Sequence, residues 1–211
     1  GSALGGSALV VQADGRIKAP ADFKGKKVAT PQLGNTQDVA LRDWLLAQGL
    51  KVTLQGGDVQ VLPTANPDQL SLFKDGQLDA VWTVEPWISR LEMEAQGKIF
   101  LEEKDAMTTI LVSSVKFLKE RPELARKIAE AQKALTEWIV KNPAEARQLV
   151  MDELKEETSR EIPRTLVDRS WNRLTFTSEV DLKLLERFLQ AAKKVGFLTE
   201  IKDISRMVVA P

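Results

Sequence analysis

Residues 28–38, VATPQLGNTQD, combine a short β-like run, a turn that contains a glycine, and the start of a helix. The run at residues 28–30 is followed by a Pro-Gln-Leu-Gly turn, and Asn35 is a typical N-cap residue. Apolar residues then recur at helical spacing until Gly49, which is a typical helix stop. This stretch predicts a strand–turn–helix unit, the building block of an α/β fold.

The alternation of strands and helices runs from residue 26 to about residue 101, and two similar units follow the first within this range. Residues 59–62, VQVL, predict a second strand, and residues 66–69, NPDQ, have the pattern of a capping box with proline at the first helical position. Residues 80–84, AVWTV, predict a third strand, and the next helix starts at residues 85–86. Strands that alternate with helices in this way predict an α/β fold with a mostly parallel sheet.

The second half of the chain has a different pattern. Residues 108–112, TTILV, predict one more strand. Beyond it a long helix opens at Pro122, another at residues 142–145, and two more helical stretches lie around residues 166–174 and 182–195. We therefore expect a helix-rich C-terminal part.

The composition excludes several classes of function. Among 211 residues there is no His and no Cys, so the chain cannot form a Ser-His-Asp or Cys-His nucleophile, a thiolate or imidazole zinc site, or a disulfide. The 30 Lys and Arg residues balance the 30 Asp and Glu residues, which leaves no overall positive field for nucleic acid. We expect a binding protein and no enzyme, with no cofactor, no metal and no nucleic-acid partner.

The turn before the first helix is a candidate anion site. A strand that enters a helix through such a turn presents unpaired backbone N–H groups at the positive end of the helix dipole. A sulfonate, nitrate, carboxylate or phosphate would be held by these groups and by nearby side-chain donors. The candidate ligand-binding residues are Gln32, Gly34, Asn35, Thr36 and Gln37. The alternative is an ordinary helix cap, in which Asn35 accepts a hydrogen bond from the amide of Asp38 and no ligand takes part.

Residues 81–87, VWTVEPW, contain a second candidate. Pro86 favours an extended conformation for Glu85, whose carboxylate would then cap the next helix or point into a cleft at the carboxyl ends of the strands. If Glu85 shares a pocket with the anion site, the ligand must carry a donor as well as an acidic group. The alternative is that Glu85 only caps its helix, near Ile88.

Four segments resemble the solute-binding proteins of ABC importers for sulfonates, nitrate and taurine. They are residues 17–29 (IKAPADFKGKKVA), 30–41 (TPQLGNTQDVAL), 78–87 (LDAVWTVEPW) and 114–124 (SVKFLKERPEL). The resemblance implies a periplasmic-binding-protein fold of type II, with two α/β lobes, a hinge, and the ligand between the lobes. Members of the family have an N-terminal lobe segment of about one domain's length, and an export signal, ahead of the point that corresponds to residue 1, and this sequence contains neither. We therefore expect either a fragment or a first lobe whose missing part is supplied otherwise.

The resemblance divides the chain into four parts. Residues 1–11 would enter through the hinge, residues 12–107 would form the second lobe, residues 108–113 would return through the hinge, and residues 114–211 would complete the first lobe.

The function implied by the resemblance is capture of a small anionic solute, such as a sulfonate, taurine or nitrate, for ABC permease subunits. The full-length protein would lie in the periplasm or at the extracellular surface, and would meet the membrane only through the permease. Three alternatives stay open: the effector-binding domain of a transcription regulator with the same fold, a truncated non-functional fragment, and an enzyme related to thiamine-pyrimidine synthases. The last depends on histidine, which this chain lacks.

Overall fold

The computed structural model describes residues 2–205, 207 and 208. The strands are β1 (Ser2–Gly5), β2 (Ser7–Val11), β3 (Lys27–Thr30), β4 (Val52–Thr53), β5 (Gly56–Gly57), β6 (Gln60–Pro63), β7 (Ala80–Val84), β8 (Lys98–Glu103), β9 (Met107–Ile110) and β10 (Leu174–Thr177). The α-helices are α1 (Thr36–Ala47), α2 (Asn66–Lys74), α3 (Trp87–Ala95), α4 (Val115–Glu120), α5 (Pro122–Lys141), α6 (Pro143–Thr158), α7 (Arg164–Trp171) and α8 (Leu182–Lys194), and a short 3-10 helix covers Pro20–Phe23.

A five-stranded sheet with the order β6-β3-β7-β2-β8 organises the first half of the chain. β3 pairs in parallel with β6 and β7, whereas β2 is antiparallel to both β7 and β8. Four of these five strands therefore run in one direction and β2 runs against them, which confirms the α/β fold with a mostly parallel sheet. Because β2 is reversed, its first residue, Ser7, lies at the edge where β7 and β8 end, opposite Val84 and Glu103.

Both faces of this sheet are buried. Leu9 and Val11 of β2 belong to one apolar cluster, which α1 covers, and Ala8 and Val10 belong to the other, which α2 and α3 cover. The alternation follows from the period of two along a strand. A sheet covered by helices on both faces is a rigid support for the residues at its carboxyl edge.

The predicted capping box of α2 is absent. The N-cap of α2 is Ala65, with no side-chain capping bond, and Asn66 is already helical. The side-chain oxygen of Asn66 instead accepts a hydrogen bond from Thr83 Oγ1 at 3.1 Å. A tertiary partner on β7 has thus replaced the local cap that the sequence pattern favours.

A smaller sheet with the order β10-β1-β9 joins the start of the chain to the C-terminal part. The helical stretch predicted around residues 166–174 is wrong at its end, because α7 stops at Trp171 and Leu174–Thr177 forms β10. β10 pairs antiparallel with β1, with Phe176 opposite Ala3. The alternating Thr and apolar residues of β10 suit a strand that has an edge to join.

The C-terminal part is otherwise helical, as expected, and it leaves more apolar surface open. On α5 and α6, Leu135 is 51% exposed and Leu149 is 54% exposed. α8 is different, because it packs against α1, and Lys194 pairs with Asp43 of α1 at 2.6 Å.

The four-part division of the chain stays a prediction. Of residues 1–11, β1 lies in the small sheet and β2 in the five-stranded sheet. β9 starts at Met107 and lies in the small sheet, so the chain leaves the five-stranded sheet after β8.

Candidate functional site

A cavity of about 710 Å³, here called cavity A, opens at the carboxyl edge of the five-stranded sheet. It lies between α1, α8 and the segment that joins β8 to β9. Ser7, Gln37 and Glu103 supply polar groups to its wall, and Trp44 and Trp82 supply aromatic ones. Crevices outside the carboxyl ends of the strands are where open α/β sheets bind ligands.

A second cavity of about 550 Å³, cavity B, lies between the end of β7, the small sheet and α5. Glu85, Gln132 and Phe176 are among its lining residues. Thr36 and Gln37 line both cavities. The first turn of α1 therefore stands between the two cavities.

The turn before α1 is held together by its own carboxylate. Asp38 is fully buried, and its side chain accepts hydrogen bonds from Thr30 Oγ1 at 2.9 Å, the Gly34 N–H at 2.9 Å and Arg42 Nε at 3.0 Å. The backbone N–H of Asp38 donates to Asn35 Oδ1 at 2.9 Å. The capping hydrogen bond that the sequence left open as an alternative is thus present. The Asp38 carboxylate also accepts the Gly34 N–H, which is one of the donors of the predicted anion site.

Two backbone donors of this turn remain free. The N–H groups of Thr36 and Gln37 have no hydrogen-bond partner among the described residues. The Gln37 side chain has none either within that part of the chain, although the residue is only 7% exposed. The amide atoms of Gln37 are not among the fully buried side-chain atoms that lack a partner, so they reach the cavities, where a solute can hydrogen-bond to them.

The other three predicted residues of the turn lie away from both cavities. Gln32 is exposed. Gly34 has a φ of 74°, and a Cβ at this position would lie 3.2 Å from the ring of Phe197. Asn35 caps the helix. The structure therefore brings Thr36 and Gln37 to the cavities and leaves Gln32, Gly34 and Asn35 outside their walls.

Glu85 lies in the wall of cavity B, but its carboxylate is fully engaged within the protein. Its side chain is only 2% exposed. It accepts hydrogen bonds from the Ser89 N–H at 3.2 Å, Ser89 Oγ at 3.0 Å and Ser170 Oγ at 3.0 Å, and Arg173 donates to it at 2.6 Å. The contact with Ser89 is the local helix-capping role that the sequence left open as an alternative, one residue beyond the expected position.

Arg173 ties the two halves of the chain together at this point. Besides Glu85, its guanidinium pairs with Glu92 at 2.8 Å and approaches Glu102 to 3.8 Å. Partial burial lowers the pKa of Arg173, but the carboxylates of Glu85 and Glu92 outweigh that effect and raise the pKa above its usual value. Nothing in the local sequence pointed to this residue, because its partners lie more than 70 residues away in the chain.

Glu103 is the carboxylate that the sequence interpretation missed. It accepts a hydrogen bond from Ser7 Oγ at 3.0 Å, and Ser7 in turn accepts one from the Trp82 indole N–H at 3.0 Å. Burial raises the pKa of the Glu103 carboxyl above its ordinary value, and the donors Ser7 and Trp82 oppose this rise only in part. A sequence signal existed: Glu103 is two residues after Leu101, so on a strand it shares the face that packs into the core.

Two absences hold for the residues that the structure describes. No group of three or more His, Cys, Asp or Glu in that part of the chain is arranged to hold a metal ion. No helix within it is long and apolar enough to cross a membrane.

Solved structures of several proteins share this fold. The periplasmic aliphatic sulphonate binding protein SsuA from Escherichia coli matches 100% of this chain and 68% of its own, with a TM-score of 0.74 and 16% identity. The periplasmic nitrate-binding protein NrtA from Synechocystis PCC 6803 matches 93% of this chain and 59% of its own, with a TM-score of 0.67 and 17% identity. The resemblance to such binding proteins is confirmed for the fold.

The desulfurization enzyme DSZB also has this fold. It matches 98% of this chain and 74% of its own, with a TM-score of 0.62 and 15% identity. The fold is therefore shared by binding proteins and by an enzyme, and it does not by itself decide between the two.

No curated protein matches the chain in sequence. A model of the NMT1-like family does match it, over residues 9–152. The match includes the five-stranded sheet from Leu9 of β2 onward, the turn before α1, and the carboxylates of Glu85 and Glu103. Because it covers more than half of the chain, the chain belongs to the NMT1-like family.

Proposed function

We propose that this chain binds a small organic solute that carries an oxyanion, and that it is the solute-binding component of an ABC importer. The oxyanion occupies the space in front of Thr36 and Gln37, where cavities A and B adjoin the first turn of α1. In the full-length protein the binding step takes place in the periplasm or at the extracellular surface, and the partners are the permease subunits of the importer.

The observation that carries this proposal is the position and hydrogen bonding of the Gln37 side chain. Its side chain is nearly buried, has no hydrogen-bond partner among the described residues, and lies in the walls of both cavities. The free backbone N–H groups of Thr36 and Gln37 stand beside it at the positive end of the helix. An oxyanion that accepted hydrogen bonds from these donors would complete them.

One further point supports binding without catalysis. The chain contains no His and no Cys, so two residue types that often serve as bases and nucleophiles are absent from the whole sequence. The fold, which proteins described as binding aliphatic sulphonates and nitrate share, is compatible with a binding role.

The test is calorimetric titration with alkanesulfonates, taurine and nitrate, using Gln37→Glu and the matched control Gln32→Glu. Both variants add one negative charge to the same turn, but only Gln37 faces the cavities. We expect Gln37→Glu to weaken binding by about tenfold or more, since a charge-assisted hydrogen bond becomes a repulsion. Gln32→Glu should change it by less than about threefold, because charges exposed to water are well screened.

A carboxylate near a helix N-terminus is compatible with the helix dipole, so both variants are expected to fold. The proposal is wrong if none of the oxyanions binds to the parent protein, or if the two variants weaken binding equally.

A further inference from the structure

Glu103 lies in the wall of cavity A and forms no ion pair with any residue that the structure describes. The charged residues in its wall are Asp43, Glu102, Glu103, Lys104, Asp105 and Arg187. Asp43 is paired with Lys194 at 2.6 Å, and Glu102 lies 3.8 Å from Arg173. Lys104 and Arg187 do not form an ion pair with Glu103, and the donors beside its carboxylate are the neutral Ser7 hydroxyl, at 3.0 Å, and the neutral Trp82 indole.

Glu103 is half-buried, so its carboxylate has lost part of its hydration. A carboxylate that has lost water needs a cation or several donors in place of that water. Ser7 donates one hydrogen bond to Glu103, and the Trp82 indole N–H donates one to Ser7. Burial accordingly raises the pKa of the Glu103 carboxyl, because the loss of water disfavours its charged form.

The wall next to Glu103 suits an organic cation. Trp44 and Trp82 both line cavity A, and their rings lie 6.5 Å apart between centroids at an angle of 61°. An aromatic face attracts an ammonium group and covers its alkyl part. The oxyanion donors of Thr36 and Gln37 are in the wall of the same cavity.

We propose that the solute carries a protonated amine in addition to its oxyanion, and that Glu103 is the residue that recognises the amine. This inference rests on the proposed solute-binding function. It assigns the two ends of a zwitterion to two places in cavity A: the oxyanion to Thr36 and Gln37, and the ammonium group to Glu103 beside the partly exposed indole of Trp44.

Glu85 does not have this role, although the sequence suggested it. Four hydrogen bonds from three residues already satisfy its carboxylate, and one of these comes from Arg173. It also lies in the wall of cavity B and not in that of cavity A. A ligand amine would have to displace an arginine to reach it.

The test uses two ligands that differ only in the amine, 2-aminoethanesulfonate and ethanesulfonate, titrated calorimetrically into the parent protein, Glu103→Gln and Glu102→Gln. We expect the parent to prefer the amine by about tenfold, and Glu103→Gln to reduce this preference to about one. Ethanesulfonate should bind Glu103→Gln as well as, or better than, the parent. Glu102→Gln removes the same charge from the neighbouring position of β8 and should keep the preference within about twofold.

The outcomes separate this inference from the proposed function. If neither sulfonate binds the parent, the proposed function fails. If both bind the parent equally, or if Glu103→Gln keeps the preference, or if Glu102→Gln abolishes it equally, the assignment to Glu103 is overturned while solute binding stands.

A titration on the parent protein gives the same answer without a variant. As pH falls towards the raised pKa of Glu103, the carboxylate is neutralised and the preference for the amine should decrease, whereas ethanesulfonate binding should not weaken. A preference that stays constant from about pH 8 to about pH 4, near the ordinary pKa of a Glu carboxyl, would contradict the role of Glu103.

Discussion

The ends of β7 and β8 flank the start of β2, and each carries a carboxylate in a different state. Glu85, just after β7, is almost fully buried and receives an arginine, two serine hydroxyls and a backbone N–H. Glu103, the last residue of β8, receives one serine hydroxyl and faces a cavity. Two carboxylates at the same edge of one sheet thus differ, because Glu85 has an arginine as its counter-ion whereas Glu103 forms no ion pair with any described residue.

The largest effect is expected from Arg173→Ala, which would turn Glu85 into a buried charge without a counter-ion. Removing one partner of a buried pair costs about 3–5 kcal/mol of the free energy of unfolding. Denaturant unfolding measures this loss. The control is Arg90→Ala, which breaks an exposed pair with Glu94 within α3 and should cost less than about 1 kcal/mol. If both variants lose the same small part of the free energy of unfolding, the buried charge of Glu85 does not need Arg173 as its counter-ion.

A smaller effect is expected from Glu85→Gln, which keeps the shape of the side chain and removes its charge. The hydrogen bond from Arg173 becomes weaker, so the free energy of unfolding should fall by about 1–3 kcal/mol. Ligand selectivity is the decisive measurement. The ratio of affinities for 2-aminoethanesulfonate and ethanesulfonate should match that of the parent, because the carboxylate of Glu85 has no free position for a ligand. A shift of this ratio towards the simple anion would return the ligand-binding role to Glu85.

The smallest effect concerns the stability of the ligand-free protein as a function of pH. Because the pKa of Glu103 is raised in the folded state, its favourable contribution is complete below the unfolded pKa and is lost as pH rises through the folded pKa. Glu103→Gln cannot ionise, so its Tm relative to the parent should increase as pH rises from about 4 to about 8. Glu102→Gln, followed in the same scans, controls for the general loss of one negative charge. A constant difference between Glu103→Gln and the parent would show that Glu103 ionises as freely as an exposed carboxylate.

The elements of the five-stranded sheet were readable from the sequence because their signals are local. The strand-like runs, the Asn35 cap and the helical spacing in residues 28–49 each depend on neighbours a few positions away, and the structure keeps all three. β10 was missed for the opposite reason. Its four residues follow a helix directly, and only pairing with β1, more than 170 residues away, makes them a strand.

The site was readable in part. The sequence identified the turn before α1, and the structure brings Thr36 and Gln37 to the cavities. It did not show that Asp38 folds back onto the Gly34 N–H, or that Phe197 covers Gly34, because both depend on how the turn and a distant segment pack. For the same reason the sequence assigned a ligand to Glu85, whose partner Arg173 could not be seen from residues 81–87.

The sequence by itself determined which chemistry is possible and which elements form. The absence of His and Cys, the balanced charge and the strand–turn–helix pattern all follow from residue identity and short-range order. Only the tertiary structure decided which polar groups remain free, since that depends on what each group meets across the fold. Asp38 and Glu85 are satisfied within the protein, whereas Gln37 and Glu103 face cavities with incomplete partners. Burial is a property of the packed molecule, so the difference between a structural carboxylate and one open to a ligand is decided there.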